Sequence, residues 1–326
     1  MLLAVFLACA VLDAPLGLSM LVAGYAYLAA TGQDAGLVID QAMNGLYNNY
    51  LLLAVPLFIL VANTMTASGV LDRILRFAQT AVGRFRGGLA HANIVSNLLF
   101  SGMSGSAVAD AAGPGLLVAR MMMREGRYPE GFPAALSAAA ATLGPLVPPS
   151  IPMILYSLLA NVSVGALFLA GLLPAAMAAF ALSAAVAILA RRHGFSREPA
   201  ASKPEVMRAF RRAAPALALP VLLLGIIYSG AATPTEAAAI AAAYALLLAL
   251  CYRSLSLRAL SHVLRETVRT TAAIGLMFAG AFVFNYAVAN ENIAPRFSAS
   301  LSGWHLAPTG FLLAVDVALL LLAVIV

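Results

Sequence analysis

The sequence predicts an all-α polytopic membrane protein, and three observations carry that prediction. Of its 326 residues 63% are hydrophobic and 10% charged, with a mean hydropathy of +0.95. Apolar stretches of membrane-spanning length recur along the whole chain. Of the 19 Lys and Arg, all but Arg296 fall in four groups, at 73–86, 120–127, 191–212 and 253–269. A basic balance segregated in this way is the positive-inside pattern of a membrane protein, so the net charge of +6 does not indicate a nucleic-acid partner.

Residues 1–29 form an apolar run interrupted by Asp13-Ala-Pro15, either one kinked span or a short helix followed by a longer one. The run lacks a basic leader region and further spans follow it, so it is not read as a cleaved signal. The loop 31–48 carries Asp34 and Asp40 and no basic residue, which suits the outer face and leaves the N-terminus cytoplasmic. Residues 50–67 return inward, with Pro56 and Asn63 interrupting their apolar surface.

The next segment, 88–118, is the centre of the reading. As one helix its 31 residues would extend roughly 46 Å, too long for a hydrocarbon layer of about 30 Å. As two arms meeting at Ser101-Gly-Met-Ser-Gly-Ser106, each is too short to cross. Arg73, Arg76, Arg84 and Arg86 precede it, and Arg120, Arg124 and Arg127 follow it. Both flanks therefore belong on the cytoplasmic side, and the segment is predicted to be a re-entrant hairpin. Broken backbone at membrane depth is tolerated only where it is buried in protein or lines a wet cavity.

Residues 132–160 run outward but are broken by Gly144, Pro145, Pro148, Pro149 and Ser150, because the prolines cannot continue a helix. Residues 166–190 return inward, and 191–213 form a basic cytoplasmic linker between a first half, 1–190, and a second half, 214–326. Residues 214–229 and 236–251 form a pair of spans, with Pro234 and Glu236 opening the second. Residues 270–289 lead outward, the loop 290–309 is outside, and 310–326 starts back in carrying Asp316.

The halves echo each other weakly with opposite sense: 53–74 runs inward ahead of the hairpin, and 274–297 runs outward ahead of the span with Asp316. Inverted repeats with discontinuous helices recur in secondary transporters, with the site near mid-bilayer. Candidate ion ligands follow from the hairpin break: the serine hydroxyls and free backbone groups of Ser101, Gly102, Ser104, Gly105 and Ser106, with Asn97 one turn earlier. Tight helix packing through small residues is the alternative use of the same stretch. Asp110, an acid in an apolar layer, is a functional candidate, as is Asp316. The second break, Gly144 to Ser150, is expected to face the first across the cavity. Cys9 and Cys251 lie in or beside apolar runs and suggest neither disulfide nor metal. No phosphate-binding Gly-rich loop with Lys and no Ser nucleophile elbow occurs, so neither ATP coupling nor an enzyme is indicated.

The stretches GLAHANIVSNLLFSGMSGSAVADAAGPG (88–115) and ATLGPLVPPSIPMILY (141–156) resemble the large membrane subunit of tripartite ATP-independent periplasmic (TRAP) transporters. The resemblance runs over essentially the whole chain. It implies an elevator-type fold and import of a small organic anion, such as a C4-dicarboxylate, sialic acid or keto acid. It also implies Na⁺ as the coupling ion, a small four-helix membrane subunit, a periplasmic binding protein and a place in the bacterial inner membrane. By that resemblance Asn97, Ser101, Gly102, Ser104, Gly105 and Ser106 form the sodium region, and Asp110 and Pro114 lie on the second hairpin arm. The second-half hairpin begins near Gly310, and since family members run further than Val326, the second repeat is expected to be incomplete. Two rival expectations stand beside this one: a receptor-independent organic anion symporter using Na⁺ or H⁺, and a non-transporting scaffold or truncated remnant.

Overall fold

The computed structural model describes residues 1–197, 199–293, 295–296 and 307–325, and everything regular in them is helical. An isolated antiparallel bridge between Arg86 and Arg197 is the extended pairing found among the described residues. Among the described residues five helices are long and apolar enough to cross a membrane: Tyr50–Ala67, Val164–Arg192, Lys203–Tyr228, Pro234–Cys251 and Leu257–Asn290. The chain is thus an all-α, multi-spanning membrane protein.

Two compact units are formed. The first comprises Met1–Asn49 and Ala272–Val326. It contains α1 (Leu2–Val11), α2 (Leu16–Ala30) and α3 (Gly36–Tyr47), so the Asp13-Ala-Pro15 interruption separates two helices instead of kinking one. Leu2, Ala23, Tyr27, Leu28 and Ala287 make its apolar core. Tyr27 Oη donates to Glu291 Oε1 at 2.9 Å and accepts from Asn290 Nδ2 at 2.9 Å.

The second unit, Tyr50–Thr271, holds the hairpin. Its helices are α4 (Ala54–Ala67), α5 (Val70–Val82), α6 (Gly88–Ser104), α7 (Ala107–Asp110), α8 (Leu116–Glu125), α9 (Phe132–Ala141), α10 (Ile151–Ala160), α11 (Val164–Arg192), α12 (Lys203–Tyr228) and α13 (Pro234–Cys251). A π turn, Ala111–Gly115, joins α7 to α8 and contains Pro114. Leu89, Ile94, Val118, Met122, Leu136 and Val186 pack α6, α8, α9 and α11 around one core. Helix α13 buries alanines 237, 238, 241, 242, 245 and 249, a small-residue face that lets its backbone approach α4. Helix α14 is Leu257–Asn290, and α15 is Pro308–Ile325.

Four expectations are revised. Residues 31–48 are not a loop, since Gly36–Tyr47 is helical. The half-buried positions 37, 38, 41, 42, 45 and 46 recur at helical spacing, as on one face of a helix. The basic linker is irregular over only part of its length, because Ser202 caps α12 and its helix starts at Lys203. Its capping box pairs the Ser202 amide with Glu205 Oε2 at 2.8 Å and the Glu205 amide with Ser202 Oγ at 3.4 Å. The outward span is part of a 34-residue helix that already begins at Leu257. The hairpin break is two residues wide, Gly105 and Ser106, with Ser101 through Ser104 still helical. Most of the expected outer loop 290–309 lies outside the described residues.

Candidate functional site

The hairpin begins and ends at the same place. Gly87 N donates to Ser196 O at 3.1 Å, and Arg127 Nη1 donates to Ser196 Oγ at 2.9 Å. The residue before α6 and the second residue after α8 therefore touch one residue of the linker. Between these anchors α6 runs 17 residues, roughly 25 Å at 1.5 Å per residue, short of a full hydrocarbon crossing of about 30 Å.

Gly105 ends α6 in the left-handed region, with φ 58° and its amide bonded to Ser101 O. Ser106 is extended and opens α7, its Oγ accepting from Ala109 N at 3.4 Å. This turn folds α7 back so that Asp110 faces the last turn of α6. The Ser101 and Ser104 hydroxyls donate to Asp110 Oδ2 and Oδ1 respectively. Asp110 is fully buried, and no basic side chain pairs with it among the described residues. A carboxylate in that setting has lone pairs left for a cation.

The second break closes over the first. A Cβ at Gly144 would lie 2.8 Å from both Asp110 Oδ2 and the Ala107 amide nitrogen, so glycine alone permits this approach. Ile151 N donates to Gly105 O at 3.3 Å, and a Cβ at Gly105 would stand 2.5 Å from Pro149 O. Ser150 caps α10 and turns its own hydroxyl onto Pro145 O at 2.6 Å. The Pro148–Pro149 peptide is cis. Gly102 faces Pro220 of α12 and the Pro148 carbonyl.

One helical turn below Ser101, Asn97 donates to Asn93 O at 2.9 Å and to Asn93 Oδ1 at 2.7 Å. Asn93 donates in turn to Ser137 Oγ at 2.7 Å, and Ser137 to Gly115 O at 2.9 Å. Asn97 Oδ1 is buried with no hydrogen-bond partner. An orphan buried acceptor costs about 1–3 kcal/mol, which a bound cation would recover. Carboxylate, hydroxyl, amide and helix-end carbonyl oxygens are the hard donors that alkali cations take.

Ser101, Ser104 and Asp110 thus form one hydrogen-bonded cluster, and Gly102, Gly105, Ser106 and Asp110 lie against the second break, Gly144, Pro145, Pro148, Pro149 and Ser150, whereas Asn97 belongs to a separate hydrogen-bonded chain with Asn93 and Ser137. Asp316 is exposed on α15 in the other unit. Sequence reading assigned no role to Asn93, although its place four residues before Asn97 puts both on one helix face. Ser137 and Pro220 carried no local signal, because their roles come from contacts distant in the chain.

Residues 3–326 match the family described as tripartite ATP-independent periplasmic transporter, DctM component. The chain is 41% identical over 280 residues to the sialic acid TRAP transporter large permease protein SiaM of Vibrio cholerae serotype O1, covering 86% of this chain and 65% of that protein. It is 36% identical over 283 residues to the sialic acid TRAP transporter permease protein SiaT of Haemophilus influenzae, covering 86% of this chain and 46% of that one. To the C4-dicarboxylate TRAP transporter large permease protein DctM of Pseudomonas aeruginosa it is 39% identical over 274 residues, covering 84% and 64%. The chain thus spans less than two thirds of the length of these three relatives.

Proposed function

Because the chain belongs to the family of the DctM component of tripartite ATP-independent periplasmic transporters, we propose that it serves as the membrane permease part of a Na⁺-coupled importer of small organic anions. The substrate class is a carboxylate of the sialic acid or C4-dicarboxylate kind, delivered by a periplasmic binding protein. A small membrane subunit completes the assembly in the bacterial inner membrane, with the N-terminus on the cytoplasmic side. The observation that carries this reading is the fully buried Asp110 carboxylate, held by Ser101 and Ser104 and covered by the Gly144 break.

Na⁺ is co-transported cargo in this scheme. Asp110, Asn97 Oδ1 and the end carbonyls of α6 hold it, and its charge stabilises the two breaks against each other. Driving one net positive charge inward across 100 mV releases about 2.3 kcal/mol, so accumulation needs no ATP. The halves 1–190 and 214–326 act as inverted repeats, and the hairpin with its facing broken helix moves as the loaded unit of an elevator. Asp316 belongs to the corresponding region of the second repeat.

The test is substrate uptake into proteoliposomes holding the chain, the small subunit and the binding protein. Uptake is expected to fall to background when Na⁺ is replaced by K⁺, and to require the binding protein. Undiminished uptake without Na⁺ rejects the coupling. Uptake by the membrane component alone favours a receptor-independent symporter.

A further inference from the structure

A cavity of about 900 Å³ lies where the turn before α6, the last turns of α11 and the linker meet. One end is lined by Arg84, Arg86, Arg191 and Arg197, all exposed, and the described lining residues include no acid. None of these four guanidiniums is neutralised by an ion pair among the described residues. Arg86 and Arg197 stand opposite each other on the isolated antiparallel bridge. Like charges directly opposed across such a pair repel, and an anion between them removes the repulsion.

The α11 wall is mostly apolar. On it Phe180, Ser183, Ala184, Ala187 and Arg191 follow at helical spacing and form one stripe, and His91 of α6 also lines the cavity. Phe180 remains 76% exposed, so among the described residues nothing covers the far end of the stripe. From Phe180 to Arg191 the helix rises roughly 16 Å, about half of a 30 Å hydrocarbon layer, which is the depth of one leaflet. Val95 of α6 continues the apolar wall. The arginines stand on the side that the positive-inside pattern assigns to the cytoplasm, where anionic lipids concentrate.

We infer that this cavity binds one anionic glycerophospholipid of the cytoplasmic leaflet. Its phosphate bridges Arg86 and Arg197, and an acyl chain lies along Phe180, Ala184 and Ala187. A free phosphate ion would meet the charge at one end and leave the apolar wall unused. A second basic cavity of about 860 Å³, lined by Arg73, Arg76, Arg208 and Arg212, differs because Asp72 and Glu205 line it too. It has its own counter-charges and no comparable apolar wall.

The detergent-purified chain is titrated with dioleoylphosphatidylglycerol, with dioleoylphosphatidylcholine and with inorganic phosphate, and binding is read by native mass spectrometry. Phosphatidylglycerol is expected to bind about tenfold more tightly than phosphatidylcholine, with phosphate failing to compete. Arg86→Gln with Arg197→Gln removes the preference, whereas Arg208→Gln with Arg212→Gln keeps it. Ala184→Trp keeps every charge and fills the apolar wall, so weakened phosphatidylglycerol binding there supports the proposal even where the arginine variant fails to fold. Equal binding of the two lipids overturns it, as does equal loss in the control variant. Competition by inorganic phosphate together with an indifferent Ala184→Trp would make this a small-anion site. Retention of a protein through the same arginines, with no lipid preference, would assign the cavity to a partner; either result rejects the lipid.

Discussion

Burying a carboxylate costs several kcal/mol unless hydrogen bonds and a counter-charge compensate it. Asp110 has two serine donors but no basic partner among the described residues, and the proposed Na⁺ would supply its counter-charge. Asp110→Asn is therefore expected to raise the Na⁺ concentration for half-maximal uptake by about tenfold or more, a loss of about 1.4 kcal/mol or greater in binding. Asn97→Ala removes the orphan acceptor and is expected to shift the same Na⁺ curve in the same direction. Asn93→Ala, by contrast, cuts the link to Ser137 and is expected to lower the melting temperature with a smaller change in Na⁺ dependence. Gly144→Ala drives a methyl group against Asp110 and Ala107, and overpacking of this kind costs about 1–3 kcal/mol. Thermal unfolding of the purified variant checks it. Ser101, Ser104 and Asp110 were legible as candidates because polar groups in apolar runs are costly. Asn93 stands near the start of the hairpin and carries no local sign of its role, since its partner Ser137 lies on another helix.

The two arms of the hairpin are joined by a two-residue turn. Gly105 takes φ 58°, and Ser106 caps the helix that follows. Gly105→Ala adds a left-handed strain of about 1–2 kcal/mol and also a clash with Pro149 O. Gly126 offers a control, with φ 62° and open space around its missing side chain. Gly126→Ala is expected to cost only the strain, so the difference in unfolding free energy between the two variants isolates the contact between the breaks. The position of the prolines made the second break readable, since a helix cannot pass through them. The exact width of the first break was not readable, because Ser and Gly are tolerated both within a membrane helix and at its end. The helix Gly36–Tyr47 differs from the loop expected there, because the charge pattern used for 31–48 reports sidedness and not backbone conformation.

For the molecule as a whole, the sidedness of the hairpin has the widest consequences. Ser196 contacts both Gly87 and Arg127, so cysteines at positions 86 and 127 are expected to react with impermeant maleimide from the same side of inverted vesicles. Labelling from opposite sides would remove the basis for a doubled-back segment. The helical, membrane-spanning class, the clustering of the basic groups and the two breaks follow from composition and spacing. Those properties are local: solvation of a helix in lipid and the inability of proline to donate act on neighbouring residues whatever the rest of the chain does. That Gly144 lies against Asp110, that Ile151 bonds to Gly105 and that Arg86 faces Arg197 depended on tertiary packing. Each of these contacts joins residues distant in the chain, and only the close approach of backbones selects among the many pairings that the same local pattern permits.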